Sequence, residues 1–168
     1  MRIVFISDTH GYHNLVTVPD GDVLVHCGDY TDPNFNEENF NIWFKRQPHK
    51  HKICAEGNHD KFNPIRERKI IIDGVMFCIS PFVSKNVDVL ITHYPPFGIL
   101  DKSFRNELCG SMKIKKLVDD IKPKIHAFGH IHEGYGIKNT KDTKFINCSL
   151  LDRDNGLVNE PIVVDYLK

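Results

Sequence analysis

Residues 124–136, KIHAFGHIHEGYG, combine a short apolar run with two histidines that stand at alternate positions between glycines. The run from Ile125 to Phe128 has the length and composition of a buried strand. His130 and His132 follow at its carboxyl end. Because ligands usually bind at the carboxyl ends of strands in α/β sheets, this stretch predicts a strand that delivers two metal-binding side chains to a site.

Apolar runs followed by metal-binding residues recur at four other places in the chain. In sequence order, the residues after these runs are Asp8 and His10, Asp29, Asn58 and His59, and His93. Each alone has an ordinary explanation, because glycine and asparagine favour turns and a single histidine is often structural. The ordered combination at the ends of five strands predicts that residues distant in sequence converge on one site.

The pattern of apolar residues predicts a mixed α/β fold. The runs expected to form strands are Arg2 to Ile6, Asp22 to Cys27, Lys52 to Ala55, Lys69 to Ile72, Val75 to Ile79, Val87 to Thr92, Ile125 to Phe128, Lys144 to Cys148 and Pro161 to Val164. Helical spacing marks two segments, one around Phe40 to Phe44 and one from Ile114 to Ile121, which starts after Ser111 and ends before Pro123. No repeat or linker divides the chain, so residues 1–168 are predicted to form a single domain.

Composition excludes several classes of function. Lysine plus arginine and aspartate plus glutamate number 22 each, so the formal net charge is zero, which argues against binding to long nucleic acid or to an anionic membrane. No apolar run reaches membrane-spanning length and none resembles a secretion signal, so a cytoplasmic location is expected. The five cysteines lack metal-ligand spacing and are predicted to be buried, reduced thiols.

The types of ligand at the strand ends restrict the chemistry. Imidazole nitrogens with carboxylate and amide oxygens suit Mn, Fe, Zn, Ni or Co. Seven such groups are too many for one tetrahedral ion and enough for two ions if one carboxylate bridges them. Paired metals activate water and hold a phosphoryl group, so metal-assisted hydrolysis of a phosphoester is the reaction class that fits.

Taken together, these blocks resemble the five motifs of the calcineurin-like metallophosphoesterases. The matching blocks are Asp8-Thr9-His10, Gly28-Asp29, Gly57-Asn58-His59-Asp60, Thr92-His93 and Gly129-His130-Ile131-His132. Two longer segments, THYPPFGILD (92–101) and FGHIHEGYG (128–136), are similar to the small branch of metallophosphoesterase domain-containing proteins, the MPPED type. The resemblance implies an α/β fold with a central β-sandwich flanked by helices.

The resemblance also implies a role for each matching residue. One metal would be bound by Asp8, His10 and His132, the other by Asn58, His93 and His130, and Asp29 would bridge the two. The cofactors would be two divalent or trivalent transition-metal ions, with Mn favoured and Fe, Zn, Ni or Co as alternatives. A hydroxide that bridges the metals would attack phosphorus while His59 protonates the leaving oxygen. Asn58 would also contact the substrate.

Two further residues are expected to act in the site. Asp32 follows Asp29 at the offset where protein phosphatases of this superfamily keep a carboxylate that orients the acid histidine. The alternative is that Asp32, which precedes Pro33, merely begins a turn. Arg105 follows PPFGILD and is the arginine expected to approach the substrate.

The substrate is expected to be a small phosphodiester, cyclic nucleotides among the candidates. The stretch GDYTDPN places Pro33 and Asn34 where protein phosphatases supply an arginine, and a monoester dianion benefits from such a guanidinium. The alternative enzymes are a phosphomonoesterase, a protein phosphatase or a nuclease. A binding scaffold is the alternative outside enzymes, because the trafficking subunit of retromer resembles this fold, but intact ligands argue against it. Some MPPED-type relatives carry glycine in place of the first histidine of the last block, whereas this chain keeps His130. The oligomeric state is left open.

Overall fold

Two β-sheets and two α-helices form the structure, a computed structural model that describes residues 1–32, 37–60, 68–80 and 86–167. The strands are β1 Arg2–Ile6, β2 Val23–His26, β3 His51–Cys54, β4 Lys69–Ile72, β5 Val75–Ile79, β6 Val89–Ile91, β7 Ile125–Phe128, β8 Gly136–Asn139, β9 Lys144–Asn147 and β10 Ile162–Asp165. The α-helices are α1 Glu37–Arg46 and α2 Met112–Ile121, and short 3-10 turns occupy His13–Leu15 and His132–Gly134.

Most of the strands in both sheets are parallel. The first sheet has the order β10-β1-β2-β3, in which β1, β2 and β3 are parallel. The second has the order β4-β5-β6-β7-β9-β8, in which β5, β6, β7 and β9 are parallel and the two edge strands are antiparallel to their neighbours. Parallel strands end at the same edge of a sheet, so the loops that follow them are neighbours.

The core lies between the two sheets. Along β1, Ile3 and Phe5 point into this inter-sheet core, whereas Val4 and Ile6 pack on the opposite face beneath α1. The second sheet is likewise covered on its outer face by α2, where Val118 is buried. A strand buried on both faces is apolar at every position, which explains the uninterrupted runs in the sequence. The predicted sandwich with flanking helices is confirmed.

The structure differs from the predicted elements mainly at one edge. Strand β8 was not predicted, because three of its four residues are exposed and it carries no apolar run. The start of α2 is confirmed, since the Ser111 side chain accepts a hydrogen bond from the Ile114 N–H. That helix ends with Lys122 in the left-handed conformation, directly before Pro123.

None of the five cysteines forms a disulfide; four are buried and Cys109 is exposed. Within the residues that the structure describes, no helix is long and apolar enough to span a bilayer. The assignment of residues 1–168 to one domain stays a prediction.

His126 on β7 is buried in a single neutral form. Its Nε2 lies 2.9 Å from Thr92 Oγ1, and that hydroxyl donates to the Tyr94 carbonyl, so Nε2–H donates to Thr92. Within the described part of the chain, the other ring nitrogen, Nδ1, has no hydrogen-bond partner. A proton on Nδ1 would be a buried N–H without an acceptor, and burial lowers the pKa of His126 from 6.5 to about 3.

Replacing His126 with glutamine should make the fold less sensitive to acid. Between pH 6.5 and about 3 the unfolded chain binds a proton that folded His126 does not, so the free energy of unfolding falls as the pH falls. The amide of His126→Gln can still bond Thr92 but does not titrate. Urea denaturation at several pH values in a metal chelator should show the slope reduced by up to about 1.4 kcal/mol per pH unit. An unchanged slope would contradict this account of His126.

Candidate metal centre

The loops after five parallel strands meet at one edge of the sandwich. Backbone hydrogen bonds join the loop after β1 to the loop after β2: the Asp8 N–H donates to Gly28 and the His10 N–H donates to Asp29, both at 3.0 Å. The loop after β7 joins in through Gly129, whose N–H donates to the His93 carbonyl after β6 at 3.0 Å. The strand ends are therefore held together by main-chain bonds, as the sequence pattern predicted.

Three groups of side chains at this edge could each hold a metal ion. In each group the ligand atoms lie within 4.8 Å of one another; the groups are Asp8, His10 and His132; Asp29, His93 and His130; and His10, Asp29 and His59. The first is the complete set expected for one ion. The second combines the expected bridge with two of the three residues expected for the other ion. The third residue of that set, Asn58, has its Oδ1 3.0 Å from His93 Nε2.

The two carboxylates of the centre are buried and ionised. Burial raises the pKa of Asp8, but the contact with His132 and the charge of His93 outweigh burial and hold that pKa well below its usual range. Burial also opposes ionisation of Asp29, and the hydrogen bond from His93 Nε2 lowers its pKa. Each carboxylate accepts a backbone N–H as well: that of His130 for Asp8 and that of His59 for Asp29.

The histidines divide into two kinds. Burial lowers the pKa of His130 to about 4 and also lowers the pKa of His10. For His132 the same burial is outweighed by the hydrogen bond with Asp8, which raises its pKa to about 9. His132 and His93 each donate Nδ1–H to a backbone carbonyl, at 2.9 Å and 3.1 Å. These bonds turn Nε2 of both rings toward the carboxylates, the orientation that metal-binding histidines need.

Unusual backbone conformations accompany these side chains. Asp8, His10, Asp29 and His130 all have positive φ, between 41° and 68°. Residues other than glycine adopt this region rarely and at a cost, and such strain concentrates at functional sites. The surrounding hydrogen bonds therefore hold these residues in backbone conformations that lower the stability of the fold.

Gly129 allows the close approach of the last loop to Asp8. A Cβ at this position would collide with Asp8 Oδ2 and with Ser7 Oγ. Gly57 has the same relation to Asp29, because its Cβ would collide with Oδ1 of that carboxylate. Both glycines of the sequence motifs are thus required by the carboxylates beside them.

The donor set fits a pair of transition-metal ions. Asp8 and Asp29 are almost fully buried, with exposed fractions of 0% and 2%, and the negative charge of Asp8 acts to raise the pKa of Asp29. Two neighbouring buried anions are stable only with cations close by. Imidazole nitrogens surround both carboxylates, and this mixed donor set suits Mn, Fe, Zn, Ni or Co.

The residues expected to assist catalysis lie at different distances from this cluster. His59 is next to it, with its ring edge-on to His10 at a centroid distance of 4.9 Å. Asp32 is half-buried in the loop that carries Asp29, and its action on His59 stays a prediction. Pro33 and Asn34 lie outside the described residues. Arg105 is on an exposed turn, with its guanidinium 5.3 Å from the centroid of the Phe104 ring.

A cleft of about 340 Å³ opens beside Asn58 and His93. Its walls include apolar and aromatic side chains and one ion pair; the residues are Ile79, Ile114, Tyr94, Arg68 and Glu56. Arg68 Nη2 lies 3.1 Å from Glu56 Oε2. Among the described residues, the arginine that lines this cleft is therefore Arg68 rather than the expected Arg105.

Sequence reasoning missed several supporting residues. Asp60 belongs to a quoted motif but was given no role; its carboxylate accepts the N–H groups of Asp29, Thr31 and Gly57 at 2.7 to 3.0 Å. Burial outweighs these bonds and raises the pKa of Asp60 to about 6. Ser149 was also missed, although it follows the end of β9 by two residues, as Asp8 follows the end of β1.

Comparison with known proteins agrees with this geometry. Residues 1–134 match the family model described as calcineurin-like phosphoesterase. A UPF0046 protein of Caenorhabditis elegans is 34% identical over 216 residues, covering 97% of this chain and 74% of the relative. The human metallophosphoesterase domain-containing protein 1 is 27% identical over 230 residues, covering 98% of this chain and 70% of the relative.

Solved structures share the fold at low sequence identity. A point mutant of Vps29 from Entamoeba histolytica superposes with a TM-score of 0.56 at 12% identity, covering 99% of this chain and 86% of the other. A conserved uncharacterised protein of Streptococcus pneumoniae gives a TM-score of 0.52 at 18% identity, covering 98% and 83%. At these identities the likeness concerns the fold alone.

The variant Gly129→Ala should weaken metal binding. The added methyl displaces Asp8 from its position between the His130 N–H and His132, so the affinity for Mn²⁺ should fall by about tenfold or more. Equilibrium dialysis with metal analysis measures this effect. Gly98→Ala is the control, because the positive φ of Gly98 strains this substitution although a Cβ there meets no atom of the described residues within 4 Å. Equal losses in the two variants would show that general destabilisation, rather than displacement of Asp8, is responsible.

Proposed function

The chain belongs to the calcineurin-like phosphoesterase family, and on that premise we propose that it is a dinuclear metal-dependent hydrolase of small phosphodiesters. Cyclic nucleotides are among the candidate substrates. The cleft beside Asn58 and His93 is the observation that carries the choice of a diester, because it offers room for a second organic group next to the metal ligands.

In the proposed assignment, each ion has its own ligands and Asp29 serves both. Asp8, His10 and His132 hold one ion, and Asn58, His93 and His130 hold the other, with Mn²⁺ favoured. When bound, such a pair supplies an activated water and neutralises charge on the phosphoryl oxygens. The protein contributes rigidity, since main-chain hydrogen bonds and buried contacts already hold the ligands together.

His59 is proposed to donate a proton from its ring to the oxygen of the leaving group. The His59 backbone N–H donates to Asp29 Oδ1 at 2.9 Å, so the ring projects from a fixed position beside the metal centre. The ring is half-buried and therefore accessible to a substrate. Asn58, adjacent in sequence, lines the cleft and is placed to contact the substrate as well as a metal.

The charge of the cleft supports a diester over a monoester. Arg68 and Glu56 form an ion pair in its wall, so the two charges offset each other. Arg105 is on an exposed turn stacked on Phe104 and does not line the cleft. A monoester dianion gains from an arginine that is available to its extra negative charge, whereas a diester monoanion needs it less.

A comparison of two aryl substrates tests this proposal. With saturating Mn²⁺, kcat/KM should be higher for a bis-aryl phosphodiester than for the matching aryl monoester. Glu56→Gln should shift the ratio toward the monoester several-fold, because the charge of Arg68 is then no longer offset. The control is Glu107→Gln, a change at an exposed residue outside the cleft.

Two results would count against the proposal. A clear monoester preference in the wild type would favour a phosphomonoesterase or protein phosphatase. If the metal-loaded protein hydrolyses no phosphoester in a panel that includes DNA, it is not an enzyme of this class and the scaffold hypothesis is favoured.

His59→Gln should slow hydrolysis to an extent that depends on the leaving group. When the leaving group is an alkoxide, which leaves poorly, the rate should fall by about 100-fold or more, because its oxygen must be protonated. An activated nitrophenolate leaves without protonation, so its release should not need His59. Asp32→Asn should produce a weaker form of the same pattern if Asp32 orients His59. Steady-state kinetics over a series of leaving groups, with metal content checked for each variant, measures both effects. A uniform loss across the series would argue that His59 binds metal or substrate instead.

A further inference from the structure

Residues 147–152, which include the last residue of β9, contact the part of the metal centre formed by Asp8 and the loop of residues 130–132. Residues 147–152 lie beyond residues 1–134, which match the family model. Their side chains and carbonyls nevertheless reach Asp8 and the 130–132 loop, which carry two ligands of the first group and one of the second. The supports of Asp29 and His93, by contrast, come from residues within the matched part, such as Asp60 and Cys27.

Ser149 donates a hydrogen bond to Asp8. Its Oγ lies 2.8 Å from Asp8 Oδ2 and also 2.8 Å from Asn147 Oδ1, and a hydroxyl has one proton to give. Asn147 Oδ1 already accepts the Ser149 backbone N–H at 3.1 Å. An ionised carboxylate is the stronger acceptor, so the hydroxyl proton goes to Asp8. Both Ser149 and Asp8 are fully buried, which keeps water from replacing this bond.

Asn147 fixes the loop that carries two of the histidines. Its Nδ2 donates to the Ile131 carbonyl at 2.8 Å and to the Leu100 carbonyl at 3.2 Å. Ile131 stands between His130 and His132, so this bond anchors the turn from which both rings project. Asn147 is fully buried, and its oxygen faces Ser149 while its nitrogen faces the two carbonyls.

The same segment also orients His132 directly. The Asp152 carbonyl accepts His132 Nδ1–H at 2.9 Å. The Asp152 side chain shapes the loop that presents this carbonyl, because its Oδ1 accepts the N–H groups of Asp154 and Gly156 at 2.9 and 2.8 Å. Two ligands of the first group, Asp8 and His132, thus depend on residues 147–152.

We propose that Ser149 is a positioning residue for the ion held by Asp8, His10 and His132, and that its hydrogen bond to Asp8 sets the affinity for this ion separately from the other. The inference rests on the metal assignment of the proposed function. The Ser149 hydroxyl holds the Asp8 carboxylate in place beside the loop of residues 130–132. Asp8 and His132 can therefore bind the ion without rearranging. Outer hydrogen bonds of this kind typically change metal affinity by about 10- to 100-fold.

Titration of the metal-free protein with Mn²⁺ tests this proposal without any substrate. Calorimetry, with free Mn²⁺ followed by electron paramagnetic resonance, should show that Ser149→Ala weakens one of two binding steps by roughly 10- to 100-fold and leaves the other unchanged. In an Asn58→Ala background, Ser149→Ala should weaken the remaining ion. In a His10→Ala background it should have no effect on the remaining ion.

Thr143→Val is the matched control. Thr143 is buried at the opposite end of β9 from Ser149, and its hydroxyl donates to the Pro123 carbonyl at 2.7 Å, away from the metal centre. The variant Thr143→Val should be less stable to unfolding, with the affinities of both Mn²⁺ binding steps unchanged. Ser149→Cys has a similar volume and keeps a weak donor, so it should show an intermediate loss of Mn²⁺ affinity. This variant replaces Ser149→Ala in the test if Ser149→Ala does not fold.

Wild-type affinities in Ser149→Ala, or an equal loss in Thr143→Val, would overturn the proposal, as would a wild type that binds fewer than two ions. Failure of the proposed function gives a different result. If the protein hydrolyses no phosphoester but Ser149→Ala weakens one of the two Mn²⁺ binding steps, the proposed function is wrong and the role of Ser149 is supported.

Discussion

Two buried carboxylates, Asp8 and Asp29, impose the main constraint on this molecule. They end neighbouring parallel strands, both have a φ of 53°, and each is surrounded by imidazoles and backbone N–H groups. Buried like charges at close range need cations, and the fold provides positions for them rather than moving the carboxylates apart. Gly57 and Gly129 are glycines because these carboxylates occupy the space of their side chains.

The metal centre lies where the two sheets meet. Of the proposed ligands, Asp8, His10, Asp29 and Asn58 follow strands of the first sheet, whereas His93, His130 and His132 follow strands of the second. Bound ions would therefore link the sheets at their carboxyl edge, where a bridge between Ser7 and Ser149 also joins them. The cleft beside Asn58 opens at this junction of the two sheets, and the loop after β3 carries both Asn58, which lines the cleft, and His59, the proposed proton donor.

The residue pattern was sufficient to predict a mixed α/β fold and the convergence of polar residues at strand ends, for one physical reason, whereas the sandwich was implied by the family resemblance. In the sequence, parallel strands that are buried on both faces appear as uninterrupted apolar runs. The polar residues that follow each run are therefore easy to recognise. Strand β8 lacked such a run because it is an exposed edge. The sequence favoured Arg105, whereas Arg68 lines the cleft, because the positions of these arginines depend on how turns and ion pairs fold together. Ser149 and Asn147 carry no motif of their own, and their importance appears only from the distances to Asp8 and Ile131.

A crystal structure of the protein grown with Mn²⁺, with ions located by anomalous scattering, would show whether Asp29 serves two ions. We expect two Mn²⁺ ions about 3.5–4 Å apart, both in contact with Asp29. Asp8, His10 and His132 should coordinate one ion, and Asn58, His93 and His130 the other. A single ion at this edge, or two ions that do not share Asp29, would refute the proposed dinuclear centre.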